Sequence, residues 1–274
     1  VTEPLVPGTT EPLAEEDALV LLTVGELALS GRLVDASNAT LFGTATLDGM
    51  SLPCVYKPIA GERPLWDFPD GTLAGREVSA YLVSRASGWG LVPPTVLRDG
   101  PLGPGMCQLW ITAGAPDSLV DVVLPGRVPA GWRTVLAGRG YGGRSVLVAH
   151  ADDPRLRRMA VLDVVLNNAD RKGGHLLPTD DGALYGCDHG ICFHVEEKLR
   201  TLLWGWAGEP LTDEARDMLA GLVADLDGSL GGALSEHLTR AELRAARRRA
   251  EALRTAGRHP EPGNGWPAVP WPIF

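Results

Sequence analysis

Lysine is the scarce residue of this chain. Only three occur among 274 residues, at 57, 172 and 198, although lysine and arginine together number 25. A chain that carries its surface positive charge on arginine leaves each lysine as a candidate for a particular task. Cysteine is scarce as well: Cys54, Cys107, Cys187 and Cys192 lie too far apart to read as a disulfide framework, which points to a reducing, cytoplasmic setting. Positive charge is in deficit overall, the net being −9, and that argues against a general binder of nucleic acid or of anionic membranes. Long apolar runs are missing too. A bilayer span needs about 18–20 such residues, and the best candidate, Ala18–Val24, breaks at Gly25-Glu26, so no membrane insertion is expected. The first sixteen residues hold no Lys or Arg and no apolar core, so no secretory leader is expected among them.

What is present suits a globular α+β protein of one large domain or two lobes, with 45% apolar residues. Residues 1–14 are rich in Pro, Thr and Glu and read as a loosely attached tail. EEDALVLLTVG predicts a short helix closed by Gly25 as a glycine cap. ELALSGRLVDA, TLFGTATLDG and LPCVYKPI predict an antiparallel meander, TLAGREVSAYLVSRASG a helix, and Thr95–Arg98 and Gly105–Ile111 two further strands. From Asp117 the pattern reads as helical through SLVDVVLP, DPRLRRMAVLDVVLNNA, TDEARDMLAGLVADL and TRAELRAARRRAEALRTAG. The last opens with a capping box at Thr239 and Glu242 and carries a solvated arginine face. A polar hairpin through residues 176–187 interrupts the helices, and PGNGWPAVPWPIF ends the sequence as an extended strap. The expected organisation is a strand-rich first lobe over residues 15–112 and a helical second lobe over residues 113–274.

Chemistry concentrates in LNNADRKGGHLLPTDDGALYGCDHG, residues 166–190. Asp170 precedes His175 by five residues, and the turn in PTDDG folds the intervening segment so that Asp188-His189-Gly190 returns to them. The series matches the H-R-D-x-x-x-x-N loop and Asp-Phe-Gly pair of protein kinases if His175 stands in the Asn position. Phosphoryl transfer needs cations against the phosphate oxygens and a carboxylate at the accepting hydroxyl. Asp188 is expected to hold the metal with His175 as second ligand, Asp170 to orient or deprotonate the acceptor, and Arg171 and Lys172 to meet phosphate. Gly173 and Gly174 would let the backbone turn tightly. Upstream, Lys57 on the third predicted strand and Glu77 on the one helix of the first lobe supply the ion pair that kinases use to hold the α- and β-phosphates.

DVVLNNADRKGGHLL and CDHG resemble the catalytic and metal loops of phosphatidylinositol 3-/4-kinase-like proteins. YKPIAGERPLWDFPDGTLAGREVSAYL, SNAT and the HADDP segment resemble more particularly an actinobacterial family described as phosphatidylinositol kinase-related. The resemblance covers nearly all of the chain beyond its first residues. It implies a two-lobed kinase-like fold with ATP between the lobes, Ser37 and Asn38 in the phosphate-covering loop, and Gln108, Leu109 and Trp110 as the adenine hinge. The sequence departs from protein kinases in lacking Gly-x-Gly-x-x-Gly. It also has no long activation segment and no Ala-Pro-Glu, which disfavours a peptide platform. An imidazole at 175 favours Mn²⁺ over Mg²⁺, or one metal over two. Basic features for a lipid headgroup are missing. The reading is therefore an ATP- and Mg²⁺- or Mn²⁺-dependent phosphotransferase whose acceptor is a hydroxyl of a small molecule or protein. A kinase-fold AMP transferase or pseudokinase, a metal-dependent hydrolase built on Asp170, His175, Asp188 and His189, and a scaffold stand as alternatives.

Other residues take quieter readings. Asp163 braces the catalytic loop, Asn167 and Asn168 close a helix, and Trp204 and Trp206 belong to the core. Cys187, His189, Cys192 and His194 match no standard zinc spacing. Glu62, Arg63 and Asp67 either touch phosphate or metal or belong to a loop anchored by Trp66 and Phe68.

Overall fold

The computed structural model describes residues 13–32, 39–68, 71–114 and 119–274. After helix α1 (Glu15–Val24), strands β1 (Glu26–Arg32), β2 (Leu41–Leu47), β3 (Met50–Pro58), β4 (Thr95–Gly100) and β5 (Gly103–Leu109) form an antiparallel sheet in the order β1-β2-β3-β5-β4. The β2–β3 hairpin closes over Asp48-Gly49. Both residues have positive φ, 49° and 79°, the mirror-image turn whose twist suits two-residue hairpins. Side chains alternate along β3, so Leu52, Cys54 and Tyr56 bury one face against Ala18, Leu21 and Leu22 of α1, while Lys57 takes the other. Helix α1 ends at Gly25 as expected, but by a different device. Gly25 is extended (φ −61°), and a Cβ there would stand 2.5 Å from the Leu21 carbonyl oxygen.

Helix α2 (Leu73–Ala86) begins at Thr72, whose hydroxyl accepts from the Gly75 N–H. It packs on β4 and β5 on one side and on elements of the second half on the other. Burial from Ala74 through Tyr81 follows from that double contact.

The second half corrects the expectation of helices from Asp117 onward. SLVDVVLP contributes β6 (Val120–Val123), which joins β7 (Trp132–Arg139) and β8 (Ser145–Ala151) in an antiparallel sheet of order β6-β8-β7. A run of β-branched valines suits a pleated, half-buried surface better than a helix. Helix α3 (Pro154–Leu166) starts on the Asp153 cap with Pro154 in its first turn and ends at Asn167 in the left-handed conformation (φ 52°). Then come the hairpin of β9 (Leu176–Pro178) and β10 (Leu184–Gly186), and helices α4 (Asp213–Leu226), α5 (Ser229–Leu234) and α6 (Arg240–Ala256). The capping box at Thr239 and Glu242 is formed, and Gly257 (φ 62°) closes α6. Helix α6 packs on α3 and α4, and the main core runs from Leu156 and Met159 to Trp206, Leu219 and Ala250.

Candidate active site

Folding of β9 on β10 does what the spacing predicts. Leu176 pairs with Gly186, the Cys187 N–H donates to the His175 carbonyl at 3.1 Å, and Asp188 therefore returns beside His175. The Asp188 carboxylate Oδ1 lies 2.9 Å from Lys57 Nζ, and the same ammonium lies 2.7 Å from Glu77 Oε1. The other oxygen of Glu77 accepts from the His189 N–H at 2.9 Å, so α2, β3 and the metal loop are joined through one carboxylate. Burial works against the Lys57 charge, yet Asp188 and Glu77 outweigh it and hold the ammonium above its usual range. Lys57 in turn holds Asp188 well below the usual carboxylate range, against burial. Asp188 has φ 60°, an uncommon backbone for a residue with a side chain. Such strain is kept where the surroundings require it, often at functional sites.

Asp170 lines the same cavity, about 330 Å³, with Lys57, Glu62, Arg63, Glu77 and Asp188. Burial raises the Asp170 carboxyl above its ordinary value, opposed by Lys172 Nζ at 3.1 Å. Its N–H donates to Asn168 Oδ1 at 3.0 Å, and Asn168 Nδ2 donates to Asp163 Oδ1 at 3.0 Å. Asp163 is the brace expected of it. Asn168 closes the helix through its N–H, which donates to the Asp163 carbonyl at 2.9 Å, and its side chain braces as well, a side-chain turn that Asn two residues before Asp170 could have signalled. Arg200, which sequence reasoning passed over, brings Nη2 to 3.9 Å from Asp170 Oδ1.

Arg171 is not a phosphate contact. It is fully buried, its guanidinium meeting Asp163 at 2.9 Å, the Cys187 carbonyl at 3.2 Å and His189 Nε2 at 2.7 Å. Consecutive residues of an extended segment point to opposite sides, so the residue after Asp170 faces inward and ties the catalytic loop to the metal loop. Gln108, Leu109 and Trp110 do not form an open hinge either. The Gln108 amide donates to Thr95, the Leu109 N–H to the Pro94 carbonyl and the Trp110 N–H to the Pro53 carbonyl, because β5 lies between β3 and β4. Ser37 and Asn38 lie outside the described residues; Ala39, the next residue but one after Ser37, lines the cavity. Glu62 lines it as well and caps α2, accepting from the N–H groups of Leu73 (3.0 Å) and Ala74 (2.8 Å).

The donor set suits a divalent cation in part. His175 Nε2 and Asp188 Oδ2 stand 3.6 Å apart, too far for a hydrogen bond. Donors on one octahedral ion at about 2.1 Å sit about 3 Å from each other. Burial pushes the His175 imidazolium down to about 4, which leaves a neutral ring with a lone pair at pH 7. Among the described residues no three His, Cys, Asp or Glu side chains converge to hold a metal alone. An ion here would complete its shell with water and phosphate oxygens, as Mg²⁺ and Mn²⁺ do at nucleotide sites. Burial keeps Cys187 and Cys192 protonated.

Compared with known proteins, the chain is 53% identical over 268 residues to Protein Rv2133c of Mycobacterium tuberculosis, covering 94% of this chain and 96% of that protein. The chain belongs to the actinobacterial family of that protein. Residues 155–255 of this family member match the model of the phosphatidylinositol 3- and 4-kinases, a stretch that contains Asp170, His175 and Asp188. Two solved structures share its fold at 14% identity. The Golgi casein kinase with Mn/ADP bound has a TM-score of 0.54 over 88% of this chain and 75% of that one. The hydra Fam20 with sugar has a TM-score of 0.50 over 88% and 87%. The fold of this family member is thus kinase-like α+β. Among the described residues no helix is long and apolar enough to cross a membrane.

Proposed function

We propose that this protein is an ATP- and divalent-metal-dependent phosphotransferase acting on a hydroxyl group of a small molecule or protein. The observation that carries the reading is the placement of Lys57 Nζ between Glu77 (2.7 Å) and Asp188 (2.9 Å), in one cavity with Asp170. A surface ion pair explains none of this, since Glu77 is buried and also fixes the metal loop through His189. The match to phosphatidylinositol 3- and 4-kinases supports ATP as donor, and the Mn/ADP in the similar Golgi casein kinase supports the pairing of nucleotide with metal.

In this reading Asp188 and His175 hold the cation, which when bound neutralises charge on the phosphate oxygens. Lys57, oriented by Glu77, contacts the phosphates of ATP. Asp170 orients the acceptor hydroxyl and takes its proton, and its burial-raised basicity suits that task. Lys172, 3.1 Å from Asp170, would balance the charge on that carboxylate and on the transferred phosphoryl group.

A thermal-unfolding scan with ATP and Mn²⁺ or Mg²⁺ tests the reading. Ligand at 100 times its Kd adds ~2.7 kcal/mol to the folded state, a shift of several degrees. Asp188→Ala and Lys57→Ala should lose the metal-dependent shift. Asp170→Ala should keep it while ATP turnover falls by about 10²–10⁴, the range of a lost general base. Equal loss of nucleotide affinity in both Asp variants would overturn these roles, no shift at millimolar ATP would overturn the site itself, and release of pyrophosphate instead of ADP, with AMP joined to the acceptor, would make the protein a nucleotidyl transferase.

A further inference from the structure

The strap after α6 passes directly over the catalytic loop. The Gly173 N–H donates to the Ile273 carbonyl at 2.8 Å, and the Thr201 N–H and Trp204 Nε1 both donate to the Ala268 carbonyl, at 3.1 and 2.8 Å. Val269 and Ile273 pack against the main core, and the Trp266 ring lies 5.6 Å from the Arg200 guanidinium, the cation beside Asp170. The Phe274 ring rests on Gly173. A Cβ added there would stand 2.3 Å and 2.7 Å from two of its ring carbons. Gly173 and Gly174 lie in the tight turn expected of them, closed by the His175 N–H on the Lys172 carbonyl at 3.2 Å, but neither has positive φ, so the turn alone does not demand glycine. An aromatic ring, itself 46% exposed, occupies the place of a side chain at Gly173, so any larger residue there must displace it.

We propose that Ile273 and Phe274 are positioning residues of the catalytic loop, an inference that rests on the phosphotransferase reading for its chemical consequence. Asp170, Arg171, Lys172 and Gly173 are consecutive. Arg171 is fixed by Asp163 and by backbone bonds to Arg200 and Leu202, and Lys172 by the His175 N–H, which leaves the Gly173 amide as the point where the strap can hold the segment from outside. The Ile273 carbonyl and the Phe274 ring supply the anchor from outside. Lys172 Nζ thereby stays 3.1 Å from Asp170, and Asp170 keeps its place in the cavity. Misplacement of a reacting group by about 1 Å costs up to 10²-fold in rate, so the clamp acts on turnover and not on nucleotide affinity, which depends on Lys57 and Asp188.

The geometry defines a size-complementation test on the full chain. Gly173→Ala expels the Phe274 ring, Phe274→Ala removes it, and Gly173→Ala/Phe274→Ala does both. Each single variant should accelerate hydrogen exchange of the Gly173 amide and lower ATP turnover by about tenfold or more, with the KM for ATP and the Mn–ATP thermal shift unchanged. The double variant should be no worse than either single one, and Phe274→Leu should recover most of the rate. Unchanged Gly173 exchange in Phe274→Ala overturns the clamp. Faster exchange with unchanged turnover overturns the positioning role, as does a defect confined to Gly173→Ala. If the wild-type chain binds no Mn–ATP, the phosphotransferase reading fails, and the exchange data decide the clamp on their own.

Discussion

Asp170 and Arg171 share a peptide bond and face opposite ways, and much of the site's logic follows. Asp170 looks into the cavity, whereas Arg171 and Asp163 form a buried ion pair that joins two loops. Arg171→Ala should therefore act on stability. Leaving one member of a buried pair uncompensated costs roughly 3–5 kcal/mol, to be read as a lower midpoint in urea denaturation with an unchanged slope. A phosphate contact would instead leave the midpoint intact and weaken ATP. Lys57, Glu77, Asp170 and Asp188 were legible in the sequence because scarcity, order and element type all pointed to them. The inward turn of Arg171 was not, since a motif records which residue follows which and not the side of the loop it takes. Gln108 to Trp110 escaped for a related reason: Gln108 and Leu109 lie on β5 between two strands, and the N–H groups of Leu109 and Trp110 are taken by the Pro94 and Pro53 carbonyls.

Elements were legible where periodicity agreed with punctuation. The hairpin through residues 176–187 and the capped helix α6 stood out by their turn and capping residues. Strands β6 to β8 did not, because Val120–Val123 is too short to separate strand from helix by period; the Gly140–Gly143 cluster between β-branched runs was the available hairpin signal. A second tie between elements is visible only in three dimensions. Lys198 Nζ meets Asp67 at 2.8 Å and lies over the rings of Trp66, Phe68 and Trp266 at 4.7–5.7 Å, so the segment after the metal loop holds the 62–68 loop whose Glu62 caps α2. Lys198→Ala should cost roughly 3 kcal/mol, the lower end for breaking a buried pair. Hydrogen exchange should quicken in residues 62–68 and the first turn of α2, and ATP affinity should fall as Glu77 loosens. Exchange quickened only around residue 198 would mean that the loop is held by other contacts.

At the scale of the whole molecule, burial of histidines makes acid a sensitive probe of the fold. His150, His175, His189 and His259 all have their protonation disfavoured by burial, His259 down to about 4 with Arg157 beside it adding to the effect. A histidine protonates near 6.5 in the unfolded chain. Between pH 6.5 and 4 the unfolded state therefore binds more protons at this position, so stability falls as the pH falls across that window and levels off below it. For His259 alone the loss at pH 4.5 relative to pH 7 is roughly 2–3 kcal/mol. His259→Gln retains an acceptor for Arg157, which reaches Nε2 at 3.3 Å, but cannot titrate. Urea midpoints at pH 7 and pH 4.5 should therefore differ less in the variant than in the wild-type chain, although the variant is no more stable at pH 7. Equal differences in the two proteins would place the acid sensitivity elsewhere, in the paired carboxylates such as Asp188, whose stabilisation is lost only at lower pH as the folded-state carboxyl takes up its proton.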